Sequence, residues 1–179
     1  QAVFGSTSDD FANDVAVLTD GSVVLAGTTR GAFEGNRSSL RVDSDFFSIR
    51  YNAALSSVLV KRQWGSAFND QLRAVAALSN SDFVVVGTSS GVMSGQANRG
   101  LFDGVVMRLN SAGSLQWTTT IGSNADDSVE DVAYSSSNGH IVVIGNTGGS
   151  VSGSAGNLDF FGATFNSAGV AVASKQMGT

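Results

Sequence analysis

Carboxylates recur in this sequence at places where they could bind a cation. Asp9-Asp10, Asn69-Asp70 and Asp126-Asp127 each follow a glycine-serine step by a few residues. Calcium prefers clustered carboxylate and carbonyl oxygens, which makes Asp9, Asp10, Asp126 and Asp127 the calcium candidates. The middle copy has only one acid, and carboxylates that follow a tight turn often accept backbone N–H bonds instead. We therefore favour turn capping over calcium binding, and we expect no cofactor.

A second set of polar residues recurs further along the chain. An aspartate precedes an apolar stretch three times, and an asparagine follows it after seven residues each time. Residues that recur in every unit usually hold the unit together, whereas a catalytic group would more often be unique to one unit. We expect the recurring residues to be structural turn residues: Gly5, Gly65, Gly122, Asp10, Asp70, Asp127, Asp45, Asp103, Asp159, Asn52, Asn110 and Asn166.

The residues that do not recur are the other place to look for catalysis. His140 is the only histidine and is expected in a surface turn before Ile141, and no serine lies in a nucleophile elbow. The spaced glycines lack the Lys-Ser/Thr ending of a phosphate loop, and the absence of cysteine removes thiolate chemistry. We therefore predict that the chain is not an enzyme.

Aromatic and basic side chains offer weaker candidates for binding. Trp64 and Trp117 could stack on a sugar ring, although tryptophans near an outer strand more often pack between neighbouring units. A small group of arginines could contact an acidic partner, but solvated loop charges explain it more simply. These arginines are Arg30, Arg37, Arg41 and Arg99.

The composition narrows the function further. The 179 residues are 42% hydrophobic and only 14% charged, with a net charge of -5, which argues against a nucleic-acid partner. No apolar run approaches the ~20 residues that span a membrane. Gln1 to Phe4 follow the repeat pattern rather than that of a signal peptide, so we expect this chain to start inside a longer one.

A repeat organises all of these residues. Gly5, Gly65, Gly122 and Gly178 are spaced 60, 57 and 56 residues apart, and a fixed period of this size indicates stacked supersecondary units. We expect one repeat domain over 1–179, with units at approximately 5–64, 65–121 and 122–177.

Each unit carries the signals of four short strands. The clearest are the β-branched runs Val23–Gly27, Phe83–Gly87 and Ile141–Gly145, which are bounded by turn residues and predict buried strands. No stretch of useful length has the period of a helix. The sequence predicts an all-β fold of three four-stranded antiparallel blades, as in a β-propeller.

The repeat resembles the β-propeller repeat called SBBP, which occurs in bacterial and algal surface or secreted proteins. The middle unit carries the resemblance best, in Trp64-Gly65-Ser66, Val84–Thr88 and Asn110–Gly113. The first unit departs from the pattern, since it has Asn52-Ala53-Ala54 in place of the Asn-x-x-Gly turn. The resemblance implies an extracellular or cell-surface location and a role that is mainly architectural.

Three units fall short of the four to eight blades of a closed propeller, so we expect three blades of a larger one. The remaining blades would come from further sequence or from other copies. Our main expectation is a non-catalytic structural domain that mediates assembly or adhesion through protein partners or further blades. The alternative is a carbohydrate- or calcium-binding propeller module, with glycans as partners. We expect the contact surface in the loops between Gly27 and Asp45, Gly87 and Asp103, and Gly145 and Asp159.

Overall fold

A computed structural model describes residues 5–33, 43–152 and 157–178. The described residues form twelve strands and no helix, so no helix among them could cross a membrane. The strands are β1 (Asp10–Val17), β2 (Val23–Thr29), β3 (Asp45–Tyr51), β4 (Val58–Trp64), β5 (Asp70–Ala77), β6 (Phe83–Ser89), β7 (Asp103–Leu109), β8 (Leu115–Ile121), β9 (Asp127–Ser135), β10 (His140–Thr147), β11 (Asp159–Phe165) and β12 (Ala171–Met177).

The strands form three antiparallel sheets in which neighbours in sequence are neighbours in space. Sheet 1 is β1–β4, sheet 2 is β5–β8 and sheet 3 is β9–β12. This confirms the all-β prediction and the three four-stranded antiparallel units, and the strand order within each sheet is that of a blade.

Strand boundaries follow the recurring polar residues. The third strand of each sheet begins at its aspartate, as the sequence predicts. The first strands differ from expectation, because the second acid of each pair is already their first residue rather than part of a preceding turn. His140 likewise begins β10 instead of lying in the turn before it, and it is partly buried.

Every first strand contains a bulge at the same place. One extra residue interrupts the pairing of the first and second strands, and it is Asn13 in sheet 1, Arg73 in sheet 2 and Glu130 in sheet 3. A bulge bends its strand and re-aims a side chain. The first strands therefore bend at equivalent points, eight residues after each repeat glycine.

The glycine that follows each buried valine-rich run makes this bend possible. A Cβ at Gly27, Gly87 or Gly145 would lie 2.0–2.1 Å from a backbone oxygen of the bulged strand. Real side chains do not come so close, so only glycine fits at this position.

The sheets stack face to face with sheet 2 in the middle. The first strand of sheet 2 contacts β1, β2 and β3, and the first strand of sheet 3 contacts β5, β6 and β7. One apolar core lies between sheets 1 and 2, and a second lies between sheets 2 and 3. Because both faces of sheet 2 are covered, every residue of β6 is buried.

Candidate functional site

The second acid of each pair closes the glycine turn that precedes it. Oδ2 of Asp10, Asp70 and Asp127 accepts the backbone N–H of the serine four residues earlier, at 2.6, 2.5 and 2.5 Å. The serine hydroxyl donates to the same carboxylate in each copy. The first members of the pairs, Asp9, Asn69 and Asp126, are exposed.

The aspartate that begins each third strand lies over the next repeat glycine. A Cβ at Gly65, Gly122 or Gly178 would lie 1.8, 2.1 or 1.6 Å from Oδ1 of the facing aspartate, so these glycines make room for a carboxylate. Gly5 is placed differently, because its nearest neighbour is Asp10. The recurring aspartates are Asp45, Asp103 and Asp159, and all three are buried.

A glutamine satisfies two of these three aspartates. Gln63 Nε2 donates to Asp45 at 2.7 Å, and Gln176 Nε2 donates to Asp159 at 2.8 Å. Thr120 occupies the equivalent position in sheet 2, where its hydroxyl donates to the Ala97 carbonyl instead. Oδ1 of Asp103 is buried and has no hydrogen-bond partner among the described residues.

Burial makes two of these carboxylates harder to ionise. Burial raises the pKa of Asp70 to about 6, and the Asp45 carboxylate adds to the effect, while hydrogen bonds from Ser89 and Ser66 oppose it. Burial also raises the pKa of Asp103, with N–H bonds from Arg99 and Gly100 opposing the shift and the Asp127 carboxylate adding to it. Neighbouring carboxylates therefore act on each other where one sheet meets the next.

The third recurring residue is the turn asparagine. Oδ1 of Asn110 accepts the N–H groups of Ala112 and Ser114, and Oδ1 of Asn166 makes the same two bonds in sheet 3. Asn52 accepts from Ser56 and Ser57, because the first turn is one residue longer. Leu55 takes the left-handed φ of 55° there, where Gly113 and Gly169 take 71° and 78°.

The calcium candidates do not come together. In the described part of the chain, no three His, Asp or Glu side chains converge in a way that could hold a metal ion. Asp10 and Asp127 direct carboxylate oxygens at their own serine turns, while Asp9 lies 3.5 Å from Arg30 as an exposed ion pair.

Both tryptophans lie between sheets. Trp64 packs on the core between sheets 1 and 2, and Trp117 packs on the core between sheets 2 and 3. Trp117 Nε1 also donates to the Ser167 carbonyl at 3.0 Å. These positions agree with packing between units rather than with an exposed sugar platform. Of the other arginines singled out, Arg99 donates to the Gly122 carbonyl, while Arg37 and Arg41 lie outside the described residues.

Two arginines join neighbouring sheets, in an arrangement called the arginine clamp below, and the sequence did not predict this role. Arg50 pairs with Asp20 in its own sheet and donates to the Ser111 carbonyl of sheet 2 at 2.6 Å. Arg108 repeats this arrangement with Asp82 and with a carbonyl of sheet 3. In the sequence, this arrangement is marked by an arginine five residues after the aspartate that begins the third strand. The third unit has Thr164 at that position instead of an arginine.

Two clefts open beside the first strands. The cleft between sheets 2 and 3 has a volume of about 400 Å³, and its lining includes Arg73, Glu130, Asn146, Phe102 and Leu158. A smaller cleft of about 200 Å³ lies between sheets 1 and 2. The two charged bulge residues, Arg73 and Glu130, approach each other to 3.5 Å. The described residues that line the larger cleft combine polar and apolar groups, and no histidine is among them.

The predicted contact loops are only partly described. Residues 34–42 and 153–156 lie outside the described part of the chain, so the first and third loops are incomplete. In the second loop Met93 is buried in the core between sheets 1 and 2, while Val92 and Leu101 are exposed. This loop therefore combines core packing with exposed apolar surface.

Part of the outer face of each end sheet is apolar and exposed, although Phe47 and Ile49 on the outer face of sheet 1 are buried. Ile144 and Phe160 on sheet 3 are each 55% exposed, and Val15 and Val17 on sheet 1 are 53% and 65% exposed. In sheet 2 the equivalent residues are covered by a neighbouring sheet. The sequence did not predict these exposed faces, because the same apolar strand pattern predicts buried residues in all three units.

The chain matches no family model, and no curated protein is significantly similar to it. The resemblance to the SBBP repeat therefore rests on the sequence motifs alone and stays a prediction.

Proposed function

We propose that this chain is a non-catalytic repeat domain of an extracellular or cell-surface protein. Its sheets act as blades of a β-propeller and mediate assembly or adhesion through protein partners or further blades. The extracellular location is supported by the SBBP resemblance alone.

One observation carries this proposal. The recurring carboxylates bind within their own turns and strands, and the arginines join one sheet to the next, while apolar residues of β1, β10 and β11 remain exposed on the two end sheets. Exposed apolar patches mark interaction sites on soluble proteins. The surface therefore offers docking area for another sheet rather than a reaction centre.

A tandem of two copies in one chain tests whether sheets add to these faces. Joining Met177 to Gly5 of the second copy preserves the repeat period, since Gly178 and Gly5 are equivalent. We expect the tandem to unfold at a higher temperature than the single chain, because its junction buries apolar surface. The same tandem with Phe160→Lys in its first copy should unfold at about the temperature of the single chain, because the lysine disrupts the apolar junction. Equal unfolding temperatures for the single chain and the unsubstituted tandem would exclude assembly through these faces.

A carbohydrate- or calcium-binding module is the second candidate. The cleft between sheets 2 and 3 favours the carbohydrate version, since a carboxylate, an amide and apolar side chains line it together. Binding on a glycan array that Glu130→Gln abolishes, and that Asp9→Asn leaves intact, would support this candidate. A melting temperature that calcium does not raise would exclude the calcium version, because a ligand of the native state must stabilise it.

A further inference from the structure

A pocket opens between sheets 2 and 3 beside the fourth strands, β8 and β12. Its volume is about 200 Å³, and it shares no lining residue with the larger cleft beside the first strands. Its lining includes Ile121, Val151 and Ala163 among the apolar side chains and Arg99 and Ser174 among the polar ones. An apolar cavity of about 150 Å³ is large enough to admit benzene, so this pocket has room for one six-membered ring.

The junction between sheets 1 and 2 carries larger side chains in the equivalent space. Met93 and Met107 are fully buried there, and Trp64 packs on the same core. At the junction between sheets 2 and 3, the same three repeat positions are occupied by Ile121, Val151 and Ala163. The pocket therefore lies where three large side chains of the first junction are replaced by smaller ones.

Two replacements run in the opposite direction. Phe161 and Phe165 are larger than their counterparts in sheet 2, Val105 and Leu109. Both rings are nevertheless buried, at 1% and 2% exposure, and the pocket remains open beside them. The two phenylalanines therefore add apolar wall without closing the space.

A tryptophan packs at this junction too, but near the other end of the fourth strand. Trp117 lies against the turn of sheet 3, where a Cβ at Gly169 would come within 2.7 Å of its ring. Its counterpart in sheet 1 is Val60, which lies beside Gly113 in the same way. The large side chain of β8 is thus near the turn, and the end of β8 at Ile121 has none.

The charge beside the pocket is positive. Arg99 is the one charged residue that lines it, its side chain is exposed, and it forms no ion pair with any residue that the structure describes. Its Nη1 makes a single long hydrogen bond of 3.4 Å to the Gly122 carbonyl, so its other guanidinium N–H groups remain for a ligand. The buried carboxylate nearest to it is Asp103, whose pKa it helps to lower against the effect of burial.

Arg99 also lies between the pocket and open polar surface. It borders a polar cleft of about 440 Å³ whose lining includes Asn124 and Ser150. A ligand with an apolar body in the pocket would therefore present its polar end to Arg99 and to water. Arginine binds carboxylates through paired N–H donors, which makes a carboxylate the group that fits this end.

We propose that this pocket binds a small carboxylate that carries one apolar ring. The ring packs against Ile121, Val151 and Ala163, and the carboxylate accepts hydrogen bonds from Arg99. The inference goes beyond the proposed function and does not depend on it, because the pocket lies between two sheets of this chain whether or not further blades dock on its ends.

Titration of the protein with benzoate, followed by NMR and by thermal unfolding, tests the proposal. Benzoate should shift the methyl resonances of Val151 and Ala163 in a saturable way and raise the unfolding temperature, because a ligand of the native state stabilises it. Benzyl alcohol has the same ring without the charge and should bind about tenfold more weakly, since it lacks the charge-assisted hydrogen bond.

Filling the pocket should abolish binding. Ile121→Trp introduces the side chain that sheet 1 has at Trp64, and Ala163→Met introduces the one that sheet 2 has at Met107, so each variant tests the site independently of the other. Val172→Trp is the matched control, because Val172 is 52% exposed on β12 and does not line the pocket, and it should bind benzoate normally.

Removing the charge should act on one ligand only. Arg99→Gln should lower the affinity for benzoate about tenfold and leave that for benzyl alcohol unchanged. No saturable shift with benzoate, or binding that persists in the folded Ile121→Trp or Ala163→Met variant, would overturn the site. Equal affinities for benzoate and benzyl alcohol in the unsubstituted protein would overturn the carboxylate as the ligand class.

Discussion

At the scale of single residues, the same repeat position can be compared in the three sheets, because its hydrogen-bond partner differs between them. Asp45 and Asp159 each receive an amide hydrogen bond from a glutamine, whereas Asp103 has a threonine in that place and keeps a buried, unpaired oxygen. A buried acceptor without a donor is costly, so sheet 2 carries a defect at its third-strand aspartate that sheets 1 and 3 lack at theirs.

Installing the missing amide should therefore stabilise the protein. We expect Thr120→Gln to raise the free energy of unfolding by about 1 kcal/mol, because the new amide can donate to Asp103. The reverse change in sheet 1, Gln63→Thr, should lower it by about 1 kcal/mol, since it removes the amide that donates to Asp45. Chemical denaturation measures both. A destabilised Thr120→Gln variant would show that sheet 2 has no room for the amide.

Asp70 should make stability depend on pH. Its pKa of about 6 in the folded protein exceeds the value of about 3.9 expected in the unfolded chain, so the folded state holds the proton more tightly. The stabilisation from this proton is complete below the unfolded pKa and is lost as the pH rises through 6, by about 2–3 kcal/mol at most.

The measurement compares Asp70→Asn with the unsubstituted protein at pH 5 and pH 7.5. Because asparagine does not ionise, the free energy of unfolding of the Asp70→Asn variant should fall less between pH 5 and pH 7.5 than that of the unsubstituted protein. Asp126→Asn, at an exposed carboxylate, should follow the unsubstituted protein. Parallel pH profiles for Asp70→Asn and the unsubstituted protein would contradict the raised pKa.

At the scale of the strand, the bulge and the glycine opposite it form one unit. The bulge at Arg73 brings the carbonyl of Gln71 to the place where a Cβ of Gly87 would stand, 2.1 Å away. The same pairing occurs in all three sheets, so the bend of the first strand depends on the second strand having no side chain there. The bend in turn sets where the first strand meets the preceding sheet.

We expect Gly87→Ala to destabilise the protein by at least about 2 kcal/mol, because the backbone of the bulge must move to admit the methyl group. Gly162→Ala is the matched control. It is also a strand glycine, but its nearest neighbour to a Cβ would be 3.8 Å away, so alanine fits. Thermal unfolding followed by circular dichroism separates the two variants. Equal losses would mean that glycine is required for strand geometry in general rather than for the bulge.

At the scale of the whole molecule, stability is distributed unevenly among three similar sheets. Sheet 2 contributes to both cores, whereas sheets 1 and 3 contribute to one each. The arginine clamps also run from sheet 1 to sheet 2 and from sheet 2 to sheet 3. The middle sheet is therefore held from both sides.

Hydrogen exchange should report this difference. At low protein concentration we expect the amides of β6 and β7 to exchange more slowly than those of β2, β3, β10 and β11, because exchange follows local opening. Protection in β11 that equals that of β7 at low concentration would contradict an uncovered face.

Much of the fold could be predicted because its signals are local. The β-branched runs at Val84–Val86 and its equivalents, the aspartates that begin the third strands and the asparagines that close the turns all act within a few residues. The Leu55 turn shows the limit of this reasoning: the missing glycine suggested a departure, and the turn is one residue longer, yet Leu55 still takes the left-handed φ that glycine takes in the other two units.

The sequence by itself determined the repeat, the strands and the capping roles, since these depend on period and on contacts close in the chain. Only the tertiary structure decided which of three similar faces are buried. Val86 and Ile144 occupy the same position in the repeat, but Val86 is covered by sheet 3 and Ile144 is 55% exposed. Likewise, only the structure showed that Asp103 lacks the donor that Asp45 has. These differences arise from neighbours far apart in sequence, and no local pattern can encode which neighbour is present.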